Sequence, residues 1–190
     1  ASLSCLAHAR PAWAGGCDAG ELGSATLCIG SSHGCVGINK PSMSKVPSLV
    51  SVAWLAKMLP EVRVIDASWY LPAAGRDQKA EFAARRIPGA TFFDLDNTDD
   101  ASGLPHQLPS PSFFARIMAE LSCRLTDHVV CYDGTGIFSA PRLWWMLSAY
   151  GFPRVSVLDG GMPAWLAAGE PVEEGAPPAA PKAKSASLAL

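Results

Sequence analysis

Residues 128 to 145, HVVCYDGTGIFSAPRLWW, set a thiol, a carboxylate and a glycine-bearing loop in immediate succession. Val129 to Tyr132 is an apolar run of strand length. A helix is expected directly beyond the loop, with Ser139 as N-cap and Pro141 in the first turn, where its missing N–H costs nothing. Gly134 and Gly136 permit a sharp turn that aims backbone amides inward. Amides and a helix dipole converging on one loop suit an anion or a thiolate. Yet the residue at the mouth is Asp133, which carries its own negative charge and cannot be a sulfur nucleophile. It reads as a structural acceptor for the loop amides rather than as a general acid or base. Cys131, two residues earlier, shares a sheet face with Val129, and free cysteine is among the most buried residue types. A core role is therefore expected for it, with a nucleophilic thiol as the alternative.

Other chemistry meets obstacles of spacing. A phosphatase-like Cys-x5-Arg loop starting at Cys131 needs arginine where Ile137 stands, and a dinucleotide fingerprint wants glycine where Ser139 stands. Asp96, Asp99 and Asp100 offer oxygen donors, but DNTDDASG lacks the donor spacing and closing glutamate of an EF-hand and reads as a solvated loop. Cys5 with His8, and His33 with Cys35, match no zinc spacing. No metal and no cofactor is expected. Cys123, just after a predicted helix, is expected to be exposed and inert, and Trp144 and Trp145 to serve helix packing and an interface. His106 and His128 show no partner in the sequence.

The elements that must hold this loop follow from hydrophobic periodicity. SLVSVAWLAKMLP predicts a helix capped by Ser48 or Ser51 and stopped at Pro60, and Val62–Ala67 predicts a strand ending in an acid and small residues. Residues 72 to 86 predict a polar loop and a short helix, Pro88 and Gly89 a turn, and Thr91–Phe93 a buried strand. SPSFFARIMAELS predicts an amphipathic helix capped by Ser110 or Ser112, with Phe113, Phe114, Ile117, Met118 and Leu121 facing the core. Residues 155 to 158 predict a further strand, followed by a tight turn and a helix ending at Gly169. Strands alternating with helices give an α/β fold, a mainly parallel central sheet flanked by helices, whose active groups sit at the carboxyl ends of the strands. Asp133 lies at such an end.

A chain of 190 residues, 49% of them hydrophobic, supports one domain plus tails. Its net charge of −2 gives no electrostatic reason to expect nucleic acid or an anionic membrane surface, and the longest nearly apolar run is too short for the roughly 20 residues of a bilayer span. Four of six cysteines fall before residue 46, which is no disulfide framework and favours a reducing compartment. Residues 1–46 are rich in Ala, Gly and Ser and poor in acid, as expected of a disordered leader. They resemble an organellar transit segment, which would place the chain in a mitochondrion or plastid, and otherwise in the cytoplasm. A start at Ala1 without Met fits a fragment or a processed chain. Residues 174–190 read as a Pro/Ala-rich linker or tail.

Four stretches, VIDASWYLP (64–72), EFAARRIPGATFFDLD (81–96), YDGTGIFSAPRLWWM (132–146) and VLDGGMPAWLAAGEPV (157–172), resemble the rhodanese family. Their order resembles the N-terminal half of the two-domain thiosulfate and 3-mercaptopyruvate sulfurtransferases, with a rhodanese-like domain over 47–173. The resemblance implies a rhodanese fold and transfer of sulfane sulfur from a small anionic donor to cyanide or a thiol, in a cleft shared with a second rhodanese domain. In the family the nucleophilic cysteine opens the loop of that second domain. Here the matching loop opens at Asp133, and Gly134, Thr135 and Gly136 become candidates for lining the cleft. The family motif usually has a histidine before the Ile-Pro-Gly turn, supported by an upstream acid. The matching residues are Arg86 and Asp77. Arginine cannot shuttle protons near neutral pH, so Arg86 is expected to pair with Asp77 or to hold an anionic substrate. Two readings follow: the non-catalytic domain of a sulfurtransferase, or a stand-alone regulatory module that binds an anion or a partner.

Overall fold

The computed structural model describes residues 46–97, 99 and 106–175. The leader with its cysteine–histidine pairs, Asp100 and the tail beyond residue 175 lie outside them. Five short strands, β1 (Leu49–Val50), β2 (Arg63–Asp66), β3 (Thr91–Phe92), β4 (Val129–Tyr132) and β5 (Val155–Leu158), form one sheet in the order β1-β5-β4-β2-β3. Every pairing is parallel. Between them run α1 (Val52–Met58), α2 (Gln78–Ala84), α3 (Pro111–Glu120) and α4 (Ala140–Ala149), with α5 (Gly161–Ala167) after the last strand.

β4 is the centre of this sheet. It pairs with β2 from Val129 to Tyr132 and with β5 from Val129 to Cys131, and all four of its residues are buried. Its near-continuous apolar sequence follows from burial on both faces, as parallel sheets require. Successive side chains point to opposite faces. Val129 and Cys131 enter one core with Phe93, Phe114, Leu143 and Leu147, while Val130 and Tyr132 enter the other with Leu55, Phe82, Ile87 and Trp165. The expected burial of Cys131 is thus met in the structure.

Helix starts carry their own signals. The Asp77 carboxylate accepts from the amides of Lys79 and Ala80 at 2.9 and 3.0 Å and caps α2, while the Ser110 hydroxyl caps α3 through Phe113 N, with Pro111 in the first turn. On α3, Phe114, Ile117 and Met118 are buried, and Phe113 and Leu121 pack half-buried against the same core.

Several expectations are corrected. The helix predicted from residue 48 begins only at Val52, capped by Ser51, because Leu49 and Val50 leave as edge strand β1. Ser48 and Val50 carbonyls accept from Val157 and Asp159 amides at 2.7 and 2.9 Å, so sheet bonds to a distant strand override local helical periodicity. The α-helix ends at Met58, just before Pro60 as expected, and Pro60 sits inside a 3-10 turn, Leu59–Glu61. β3 is shorter than expected and half-buried, and Phe93, just past it, is the residue that reaches the core.

Cys123 is not exposed: it is 1% accessible, in the core that holds Phe114, Cys131 and Leu147. Ser122 adopts a positive φ of 53°, and the Cys123 amide returns to Met118 O at 2.8 Å, folding the chain back inward. Burial pushes its thiol up to about 12. The histidines acquire partners that only the fold supplies. His128 Nε2 lies 2.9 Å from Ser156 Oγ, and His106 Nδ1 lies 3.0 Å from Asp96 Oδ1. Trp144 packs half-buried with Nε1 donating to Val155 O, whereas Trp145 stands exposed under the Arg142 guanidinium.

Leu143 is fully buried between α4 and the sheet. Leu143→Ala is expected to cost about 3 kcal/mol through lost transfer energy and a residual cavity. Urea unfolding should show a lower midpoint with an unchanged slope.

Candidate functional site

The loop between β4 and α4 is built inward around one carboxylate. Asp133 Oδ1 accepts from the amides of Thr135 at 2.9 Å and Gly136 at 2.8 Å. Its Oδ2 accepts from Phe138 at 2.7 Å and from Ser139 and Ala140 at 2.9 Å each. A carboxylate offers about four lone-pair sites, so five donors fill it. Burial alone would raise this carboxyl, but the amides of Ala140, Phe138, Thr135 and Gly136 outweigh burial and hold it below its ordinary value. The loop amides thus have an acceptor, and it is covalently part of the loop.

This arrangement corrects the expected cap. Ser139 occupies the N-cap position of α4, yet its side chain makes no capping bond, and its hydroxyl instead accepts from Trp69 N at 3.1 Å. Asp133 does the capping because its two oxygens reach loop and helix amides together. The glycines are needed for close approach as well as for turning. Gly136 has φ +128°, and a Cβ on Gly134 would collide with the Tyr70 hydroxyl. Gly161, at the start of α5 with φ +52°, lies so close that a Cβ there would strike the carbonyls of Asp133 and Gly136. Met162 N donates to Asp133 O at 2.9 Å, which ties α5 to the back of the loop.

Beside the loop lies a cavity of about 610 Å³ lined in part by Asp66, Ser68, Tyr70, Arg76, Glu81 and Gly134. Asp66 ends β2, the strand next to β4, and its Oδ1 accepts from Ser68 N at 2.8 Å and Ser68 Oγ at 2.5 Å. Gly134 N donates to the same Ser68 Oγ at 2.9 Å, linking the cavity floor to the loop. Burial raises the Asp66 carboxyl to about 6 against the opposing hydrogen bonds of Ser68 and Tyr132. At the mouth, Tyr70 Oη donates to Glu81 at 2.7 Å and accepts from Arg76 at 2.9 Å. Arg76 grips Glu81 through Nε and Nη2 at 2.7 and 2.6 Å and stacks 3.8 Å from the Tyr70 ring centre. Its positive charge is therefore spent on a partner within the wall.

Asp133, Gly134, Thr135 and Gly136 come together in the loop, and of the residues singled out in the sequence only Gly134 lines this cavity. Asp77 and Arg86 are not brought together. Asp77 is spent on the α2 cap, and Arg86, 2% accessible, reaches Gly175 O at 2.6 Å and Glu173 Oε2 at 3.3 Å. The expected Asp77–Arg86 pair is replaced because the chain beyond α5 returns to cover Arg86. Cys131 is buried, and burial followed by the nearby Cys123 pushes its thiol well above the ordinary range, away from the thiolate needed for sulfur chemistry. Sequence reasoning missed Ser68, Tyr70 and Gly161. The acid-and-small ending of β2 hinted at the Asp66–Ser68 pair, whereas the contacts of Ser68 and Gly161 with the loop join residues remote in sequence.

The two acids should respond oppositely to pH. Asp133, held low, contributes stability that is complete above the ordinary carboxylate range and is lost only in stronger acid. Asp133→Ala leaves five amides without their acceptor and is expected to cost about 3 kcal/mol or more at pH 7, read by urea unfolding. Asp66, raised to about 6, contributes stability that is present below about pH 4 and is lost as pH rises through about 6. Between pH 7 and pH 4 the wild-type chain should therefore gain up to about 3 kcal/mol relative to Asp66→Asn, a difference that unfolding curves across that window would reveal.

The rhodanese-like domain family matches residues 51–168. The 3-mercaptopyruvate sulfurtransferase of Rattus norvegicus is 46% identical over 143 residues, covering 70% of this chain and 48% of that protein. The mitochondrial thiosulfate/3-mercaptopyruvate sulfurtransferase 1 of Arabidopsis thaliana is 45% identical over 143 residues, covering 74% of this chain and 38% of that protein. The crystal structure of the Escherichia coli 3-mercaptopyruvate sulfotransferase SseA superposes with a TM-score of 0.65 at 41% identity, over 69% of this chain and 52% of that one. The chain spans about half or less of the length of these curated relatives. A match across residues 51–168, with the parallel five-stranded sheet and a loop leaving its central strand, means that the chain belongs to the rhodanese-like domain family.

Proposed function

We propose that this chain carries the N-terminal, non-catalytic rhodanese domain of a sulfurtransferase acting on thiosulfate or 3-mercaptopyruvate, and that it forms one wall of a cleft completed by a second rhodanese domain in cis. The observation that carries this reading is Asp133. In sulfur transfer a thiolate takes the sulfur as a persulfide, and convergent amides lower the thiol's pKa. Here those amides converge on a carboxylate, which cannot form a persulfide.

Relatives of which the match covers half or less, with names that include thiosulfate and 3-mercaptopyruvate, support the class of donor and the existence of a second domain. The filled loop and the self-paired Arg76 weigh against a stand-alone module that binds an anion in the loop. In this reading Gly134, Thr135 and Gly136, held from beneath by the buried Asp133, form a rigid face toward the partner domain, and the proton relay suggested by the family motif is lost, since Arg86 and Asp77 are engaged elsewhere. A leader acting as a transit segment would send the protein to a mitochondrion or plastid. Among the described residues no helix is long and apolar enough to cross a membrane.

The purified chain, given thiosulfate or 3-mercaptopyruvate with cyanide, should make no thiocyanate and show no added sulfur by intact mass. Turnover that disappears in Cys131→Ser would overturn the assignment and make the buried cysteine the nucleophile.

A further inference from the structure

The segment leaving α5 does not run straight into solvent. Trp165 Nε1 donates to Pro171 O at 2.9 Å, and the chain then lies along the end of α2. There Arg86 and Glu173 exchange backbone bonds in an antiparallel bridge, each 2.9 Å, and Gly175 N donates to Ala83 O at 2.8 Å. The Arg86 side chain completes the contact from beneath. Its Nη1 donates to Gly175 O at 2.6 Å, its Nε lies 3.3 Å from Glu173 Oε2, and its guanidinium sits over the Phe82 ring. A nearly fully buried arginine is costly unless paired, and most of its pairing here comes from a five-residue stretch of chain. The middle residue of that contact, Glu174, lines the same cavity as Asp66, Ser68 and Gly134.

We propose that residues 171–175 form a strap latched by Arg86, and that the latch holds the chain's own exit segment as the outer wall of the cavity beside the loop. A ligand or partner side chain approaching the cavity from that side meets the strap, and the strap leaves only if the Arg86 contacts are given up. The device uses this chain's own residues and does not depend on a second domain.

Amide hydrogen exchange on the full chain tests it. In Arg86→Ala, the Glu173 and Gly175 amides should exchange at least ten-fold faster while the Val130 and Tyr132 amides keep their rates, and Arg86→Lys should restore part of the protection. In a Met162→Cys background, Arg86→Ala should also speed iodoacetamide labelling at position 162, with Cys131 still unlabelled as the control for global opening. Strap amides that stay at wild-type rates, that accelerate only in step with Val130 and Tyr132, or that loosen without faster labelling at position 162 would overturn the proposal. Should Arg86→Ala fail to fold, Glu173→Gln changes only a half-exposed carboxylate, and its strap amides should accelerate several-fold. Unchanged rates there would count against the latch as well.

Discussion

A single carboxylate sets the geometry on which the rest of the domain depends. Asp133 fixes five consecutive-region amides, so the end of β4, the turn at Gly136 and the first residue of α4 cannot move independently. Its backbone carbonyl takes the Met162 amide, which brings α5 into the same arrangement. Helix N-termini leave donors unsatisfied, and a charged acceptor placed among them gains from hydrogen bonding and from the dipole together. The same interaction that rigidifies the loop also settles its chemistry, because amides already engaged are not available to an incoming anion.

Around this centre several polar groups of the cavity pair with one another. Arg76 is matched by Glu81, Glu81 by Tyr70, and Asp66 by Ser68 and Tyr132. The pairing of Arg76 with Glu81 cancels that part of the wall's field, while Arg85 and Glu174 also line the cavity.

What the sequence made legible was local. The apolar run from Val129 to Tyr132, the glycines after it, Pro141 in the first turn of α4 and Ser110 ahead of α3 are signals written within a few residues, and each lies where expected. The carboxylate at the loop mouth was legible as an acceptor for the same reason. What escaped depended on partners far along the chain. β1 exists because β5 accepts it as a neighbour, Cys123 is buried because the chain after α3 folds back into the core beneath the sheet, and Ser139 turns from its helix because Trp69 N is within reach. Arg86 looked like a cleft residue until residues 173 to 175 returned to cover it.

The strand order also carries a consequence for synthesis. Among the described residues β1 is the first strand and bonds only to β5, so Leu49 has no sheet partner there until Val157 has been made. β4 likewise waits for β5 on one side, although β2 is ready on the other. On a ribosome delivering the chain from its N-terminus, the domain therefore cannot close progressively: β1 must remain an unpaired edge until β5 has been made. Non-local parallel pairing of this kind is paid for in time, and β5 is the strand that commits this sheet.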